Sequence, residues 1–177
     1  MSTRSGKKIT ILELCVFAML GALMFASKQI MAVLPNIHIL GLLIMVYTIT
    51  FRTKALIPLY IWLFLEGLFA GFATWWIPYL YVWAVLWGVT MLLPKKMPRS
   101  VAMVVYPVVC CVHGLCFGIL YAPGEALLNG LNFEGMIAWI AKGLVFDITH
   151  GISDFAAGLL VLPLSELMLK LKKQYHL

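Results

Sequence analysis

The chain has 177 residues, 63% of them hydrophobic and 11% charged, with a mean hydropathy of +1.00 and a net charge of +6. That balance excludes a soluble domain, and with no polar linker to divide it the chain reads as one all-α membrane unit over residues 1–177. The positive charge does not point to nucleic acid, because the basic residues sit in short segments between apolar runs rather than in one patch.

Six apolar runs follow one another at about 9–26, 37–51, 55–73, 77–93, 101–121 and 136–162. Each is near the ~20 residues that a hydrocarbon core requires, so the expectation is a six-transmembrane-helix bundle. The start of the chain, Arg4, Lys7 and Lys8 before an apolar stretch, has the form of a signal peptide. Because many spans follow, it is read as a retained first helix. Charge then orients the bundle. Arg4, Lys7, Lys8, Arg52, Lys54, Lys95, Lys96, Arg99, Lys170, Lys172 and Lys173 fall on one side of a six-span arrangement, and only Lys28 and Lys142 lie toward the other. Cytoplasmic loops carry the Lys/Arg excess, so both termini are expected inside. The outer connections, about 28–36, 72–78 and 122–135, are rich in polar and aromatic residues, which suits capture of something from outside.

The first run carries Ala18, Ala22 and Ala26 at four-residue spacing. Small residues at i, i+4 and i+8 make a flat strip, used either for packing inside the bundle or for docking a partner membrane protein. The third run carries Glu66, with Gly67, Ala70 and Gly71 leaving room beside it. A carboxylate that stays charged there needs a cation, from Lys28, Lys142, a protonated His150 or a cationic ligand. Around the fourth run Trp76, Tyr79, Trp83 and Trp87 form an aromatic stripe at three- and four-residue steps, with Trp75 preceding it. Trp75 and Trp76 suit an interfacial belt, whereas Trp83 lies deeper and suits stacking a planar ring or holding a cation. In the fifth run His113 reads as a structural group. Cys110, Cys111 and Cys116 lack paired CxxC spacing and read as small apolar fillers, so no metal is assigned. In the sixth run Asp147, His150 and Asp154 fall within about 60° of one another on a helical face. Ionisable groups at membrane depth must face a bundle interior or a wet cavity. That face is the candidate site, with Glu66, Trp75, Trp76, Tyr79, Trp83 and the outer-loop Asn129 opposite it. The alternative is three groups that hold the bundle together.

Taken together, six helices in about 180 residues, the Ala18/Ala22/Ala26 strip, the Trp-rich outer loop and the polar-faced last helix with its basic tail resemble the substrate-binding S components of energy-coupling factor (ECF) vitamin transporters. The resemblance covers nearly the whole chain and is one of architecture rather than of a sharp motif. It implies capture of a small water-soluble vitamin at the outer face of a cell membrane of bacterial type. It also implies docking, through the alanine strip, on a transmembrane coupling subunit driven by two ATPase subunits. The His150-Gly151 step resembles the place where thiamine-binding members carry Asn-Gly; here a histidine stands between two acids. No Walker-type phosphate loop is present, so ATP hydrolysis must come from partners, and the chain itself is expected to be neither an enzyme nor a cofactor protein.

Acids plus rings favour a nitrogen heterocycle: thiamine, its pyrimidine precursor or a pyridoxine-like ring. A second reading is divalent-metal uptake (Ni or Co) with His150, Asp147, Asp154, His113 and Glu66 as ligands. A third is an intramembrane hydrolase that activates water with His150 and Asp147. It ranks last, because HExxH and GxSxG are both missing.

Overall fold

The computed structural model describes residues 9–175 and 177, so Arg4, Lys7 and Lys8 lie outside the described residues. The protein is 84% helical, with no strand among the described residues. Helix α1 (Ile11–Ile30) starts on a capping box, in which the Thr10 side chain accepts from Glu13 N and the Glu13 carboxylate accepts from Thr10 N. A 3-10 turn (Met31–Val33) and an irregular crossing lead to α2 (Leu40–Phe51), and a second 3-10 turn (Arg52–Ala55) leads to α3 (Leu56–Ala70). Then come α4 (Trp76–Leu92), α5 (Arg99–Leu115), α6 (Phe117–Asn129), α7 (Phe133–Gly158) and α8 (Val161–Gln174).

These bounds differ from the apolar runs in ways that matter for the site. Helix α1 does not stop at residue 26 but continues to Ile30, which puts Lys28 and Gln29 on its last turn. The expected outer connection at 122–135 shrinks to residues 130–132. Helix α6 runs on to Asn129 before Gly130 ends it in the left-handed region at φ 67°, and Asn132 then caps α7 by accepting from Gly135 N. The fifth run divides at Cys116 into α5 and α6. The sixth divides after Gly158 into α7 and α8, which are bent by 49°. The basic residues Lys170, Lys172 and Lys173, expected beyond the last helix, lie on α8.

By length and apolarity alone, three stretches among the described residues are long enough to cross a membrane: Ile11–Val33, Leu40–Ala70 (which joins α2 and α3 through the turn at Arg52) and Arg99–Asn129. The pair α7 and α8 makes a fourth if it counts as one span. Taken singly, α2, α3 and α4 have 12, 15 and 17 residues, short of the ~20 that a straight crossing requires.

Contacts order these helices along the bundle. Lys54 pairs with Glu13, Gly21 abuts Ile61, and Lys28 pairs with Glu66, so α1 and α3 run parallel. His38 and Trp62 both meet Trp83, whereas Arg52 meets Trp87 and Met91, so α2 runs parallel to α4 and against α3. The turn between α2 and α3 forces Arg52 to φ 56°, unusual for a side chain of that size. Two hydrogen bonds hold it: its Nη2 donates to Met91 O at 2.7 Å and its carbonyl accepts from Trp87 Nε1 at 3.1 Å.

Helix α2 is the axis of the core, buried almost throughout against α4, α7 and α8. Its uniformly apolar sequence is what a helix surrounded by others requires. Outward-facing apolar residues such as Met19, Leu92, Val104, Val145 and Ile152 are exposed, as suits a lipid-facing surface. Helices α5 and α7 approach closely because Gly114 meets the backbone of Gly151, where a Cβ would come within 2.9 Å.

The alanine strip does not serve the packing of this chain. Ala18, Ala22 and Ala26 are all exposed, while Phe17, Gly21 and Met24 on the neighbouring face of α1 are buried. The distinction is testable by thermal unfolding in detergent. Gly21→Leu would drive a side chain into Ile61 and the Pro58 carbonyl and should cost about 1–3 kcal/mol. Ala22→Leu, on the exposed strip, should stay within about 0.5 kcal/mol of the parent.

Candidate functional site

Two adjoining cavities lie at the end of the bundle where α1 finishes and α4 begins. The first, about 330 Å³, is walled by Lys28 and Gln29 from α1, Glu66 from α3, Tyr79 and Trp83 from α4, and His38 and His150. The second, about 580 Å³, is walled by Trp75, Tyr79, Tyr121, Glu125, Trp139, Lys142 and Asp147. Asn36, Tyr79 and Phe117 line both and form the partition between them. Asn36 takes φ 58° to turn the crossing between α1 and α2 over the first cavity, a conformation that asparagine tolerates better than most residues.

Glu66 is the ionic anchor of the first cavity. It is 2% exposed and accepts from Lys28 Nζ at 3.0 Å, Gln29 Nε2 at 3.2 Å and Trp62 Nε1 at 3.0 Å. Of the cations open to it from the sequence, Lys28 is the one that pairs with it, and the extension of α1 by one turn is what delivers it. The same ammonium lies 5.4 Å from the centre of the Tyr79 ring and 6.0 Å from that of Trp75, within cation–π range.

Trp83 is the centre of the aromatic wall. Its ring lies 5.4 Å from Trp62, 5.6 Å from His38, 5.5 Å from His113 and 5.3 Å from Phe117. It is therefore a core ring and not part of an interfacial belt. In the second cavity Tyr121 stacks on Trp139 with the ring centres 5.6 Å apart and the ring planes nearly parallel.

Asp147 has a structural and a site role at once. Its Oδ1 accepts from Gly118 N at 3.0 Å. Gly118 stands in the first turn of α6, where the break at Cys116 leaves backbone donors without helical partners. A carboxylate from α7 thus caps α6 across the bundle. His150 turns into the first cavity, its ring 4.6 Å from that of His38 and 4.8 Å from that of Phe117.

Asp154, one turn below His150, is fully buried. No described residue gives either of its carboxylate oxygens a hydrogen bond, and the same holds for His150 Nε2 and His38 Nδ1.

The structure brings Glu66, Tyr79, Trp83 and His150 to the first cavity and Trp75, Tyr79 and Asp147 to the second. Trp76 points elsewhere: its Nε1 donates to Leu63 O at 2.7 Å and its ring packs edge-on against Phe72. Asn129 is bonded to Glu125 at the exposed end of α6 and lines neither cavity. Asp154 lies beneath the first cavity rather than in its wall. His113 is held by Val82 O at 3.1 Å.

Gln29, Asn36, His38, Phe117, Tyr121 and Trp139 join the walls without having been singled out as site residues from the sequence. Trp139 carried a usable signal: with Gly143, Asp147, His150 and Asp154 it follows the three- and four-residue steps of one helical face. His38 and Phe117 did not, because only tertiary contacts carry them to His150.

No protein-family model, curated protein or solved structure matches this chain.

The two cavities combine both signs of charge with flat rings, an arrangement that accepts a planar, polar small molecule. Because Glu66 is buried, its pairing should be visible in stability. Lys28→Met should cost about 1.5–3 kcal/mol in thermal unfolding, the range for a hydrogen bond to a charged group. Adding Glu66→Gln should recover much of the loss, since the buried charge is then gone.

Proposed function

We propose that this chain is the substrate-capture subunit of an ECF-type ATP-driven importer. In this reading six helical passes, with both termini cytoplasmic, place the two cavities at the outer face. The observation that carries the proposal is the paired cavity itself, with Lys28, Glu66 and Trp83 at one end, Asp147 and Lys142 at the other, and Asn36, Tyr79 and Phe117 between them. The substrate is a small water-soluble vitamin or related nitrogen heterocycle, of the size of thiamine, its pyrimidine precursor or a pyridoxine-like ring.

Two further observations support it. The order of contacts along α1 to α4 alternates their directions, which brings Glu13, Arg52, Lys54, Arg99 and Lys172 toward one end and the cavities to the other. A basic end of that kind is the cytoplasmic one. The exposed Ala18/Ala22/Ala26 strip leaves a flat helix surface for a transmembrane coupling subunit, with two ATPase subunits beneath it.

Uptake and binding should separate. Ala22→Trp should abolish uptake in cells that carry the energising subunits while leaving ligand affinity and melting temperature unchanged. Loss of affinity along with uptake would count against docking at that strip. A thermal-shift screen against vitamins identifies the ligand, and calorimetry then tests the walls. Asp147→Asn should weaken binding about 10- to 100-fold, from loss of a charged hydrogen bond, and Trp83→Ala about 2- to 10-fold, from loss of stacking. Unchanged affinity in both variants would sink the cavity as the binding site. Topology has its own test: a cysteine placed at residue 129 in a Cys-free background should react with an impermeant reagent added outside.

A further inference from the structure

We propose that His38, His150 and Asp154 form a site for one divalent transition-metal ion, of the Zn²⁺, Ni²⁺ or Co²⁺ class, in the floor of the first cavity. The inference goes beyond the uptake reading and does not depend on it. It rests on the donor set, and it is tested on the purified chain without partners.

One ligand atom from each of the three residues falls within 4.8 Å of the others. His150 Nε2 and Asp154 Oδ2 are 3.5 Å apart and are not hydrogen-bonded to each other. Donors at about 2.0–2.2 Å from a common tetrahedral ion lie roughly 3.4 Å from one another, so this pair already has the separation of two ligands on one metal. His38 offers the third ligand atom within 4.8 Å of these two and would have to move closer by a little over an ångström to complete the triad.

Burial argues in the same direction. Asp154 is 0% exposed, His150 2%, and the unpaired atoms are His150 Nε2, both carboxylate oxygens of Asp154 and His38 Nδ1. Buried polar atoms are nearly always hydrogen-bonded, and leaving several unpaired at one point would be strongly destabilising. A cation satisfies all three side chains together and neutralises the carboxylate at membrane depth.

The fold gives the carboxylate its place. Gly41 of α2 faces it, and a Cβ there would meet Oδ2 and Oδ1 at 3.1 and 3.2 Å. Three protein ligands leave a tetrahedral ion one open position. His38 and His150 line the first cavity, so that position is available to a nitrogen or oxygen donor of whatever occupies it. Two imidazoles and one carboxylate favour Zn²⁺, Ni²⁺ or Co²⁺ over Mg²⁺ or Ca²⁺.

This set differs from the metal ligands that the sequence suggested. Glu66 is committed to Lys28, Asp147 to Gly118 N and His113 to Val82 O, and His38 takes their place.

The experiment uses tag-free protein in detergent, stripped with chelator, then titrated with Zn²⁺, Ni²⁺ or Co²⁺ alone against a chromophoric competitor. One ion per chain should bind. Co²⁺ should develop the intense visible bands of a four-coordinate nitrogen and oxygen site. His150→Ala and Asp154→Asn should each lower affinity by roughly 100-fold or more, beyond the 10- to 100-fold typical of groups that only support a ligand. Glu166→Gln, at the opposite end, should bind as the parent does. Gly41→Ala keeps every donor and should still weaken binding by crowding Asp154.

Melting without metal separates folding from ligation: Asp154→Asn, freed of a buried carboxylate, should melt no lower than the stripped parent. If His150→Ala or Asp154→Asn fails to fold, the Co²⁺ spectrum of the parent decides, since bands of an octahedral aqua ion, or none, would overturn the site. Absence of stoichiometric binding, or parent-like affinity in both variants, would overturn it equally and leave a neutral carboxyl–imidazole pair in its place. Binding of a vitamin with no response to any metal would retain the capture reading and remove only this site.

Discussion

A carboxylate that cannot reach water organises this molecule. Glu66 sits almost wholly inside the bundle, and three donors from two helices converge on it: Lys28, Gln29 and Trp62. In a hydrocarbon surround an unpaired charge would be intolerable, so α1 and α3 must run side by side with their ends in register. The Glu13–Lys54 pair ties the opposite ends of the same two helices. Between the two ion pairs Gly21 removes the side chain that would hold α1 away from Ile61. The cavity results from this arrangement, because α1 carries Lys28 to the rim only by continuing one turn beyond its alanine strip.

Several other buried polar side chains obey the same rule with different partners. Asp147 commits one oxygen to an amide that the break between α5 and α6 sets free. Thr48, Thr50 and Thr90 return their hydroxyls to carbonyls one turn back in their own helices. Against that background His38, His150 and Asp154 stand apart, three convergent groups with donors and acceptors unused. Single atoms of Tyr47, Trp83, His113 and Ser165 are also without a partner among the described residues, but at the floor of the cavity such groups converge, three side chains within reach of one another.

The proposed function divides by position. On the proposed reading, the rings of Tyr79 and Phe117, which line both cavities, and of Trp83, in the first, would supply shape and stacking between two charged ends. The exposed outer face of α1 offers close approach to another helix, since alanine at 18, 22 and 26 lets a backbone come near. The cavity and the strip occupy different faces of the same bundle, so the proposed binding and docking should be separable.

Composition and the length of the unbroken apolar runs determined that the chain is helical and suited to a membrane, because a membrane β-strand alternates apolar and polar residues, whereas a helix that spans a membrane can be apolar throughout. Helical periodicity also marked the buried face of α7, since Asp147, His150 and Asp154 repeat at three and four residues, and all three are buried. It picked out Ala18, Ala22 and Ala26 as one strip but could not say which way it points. That depended on Gly21, one position away, being the residue that meets α3. Helix ends were less legible, because apolar runs carry no stop signals inside a membrane. Lys28 and Gln29 looked like loop, and the breaks at Cys116 and after Gly158 left no mark in hydropathy. The pairing of Glu66 with Lys28, and the meeting of His38 with His150 across more than a hundred residues, were decided by tertiary structure alone. Periodicity reports which face of a helix is buried, whereas the partner on the facing helix is set by how whole helices pack.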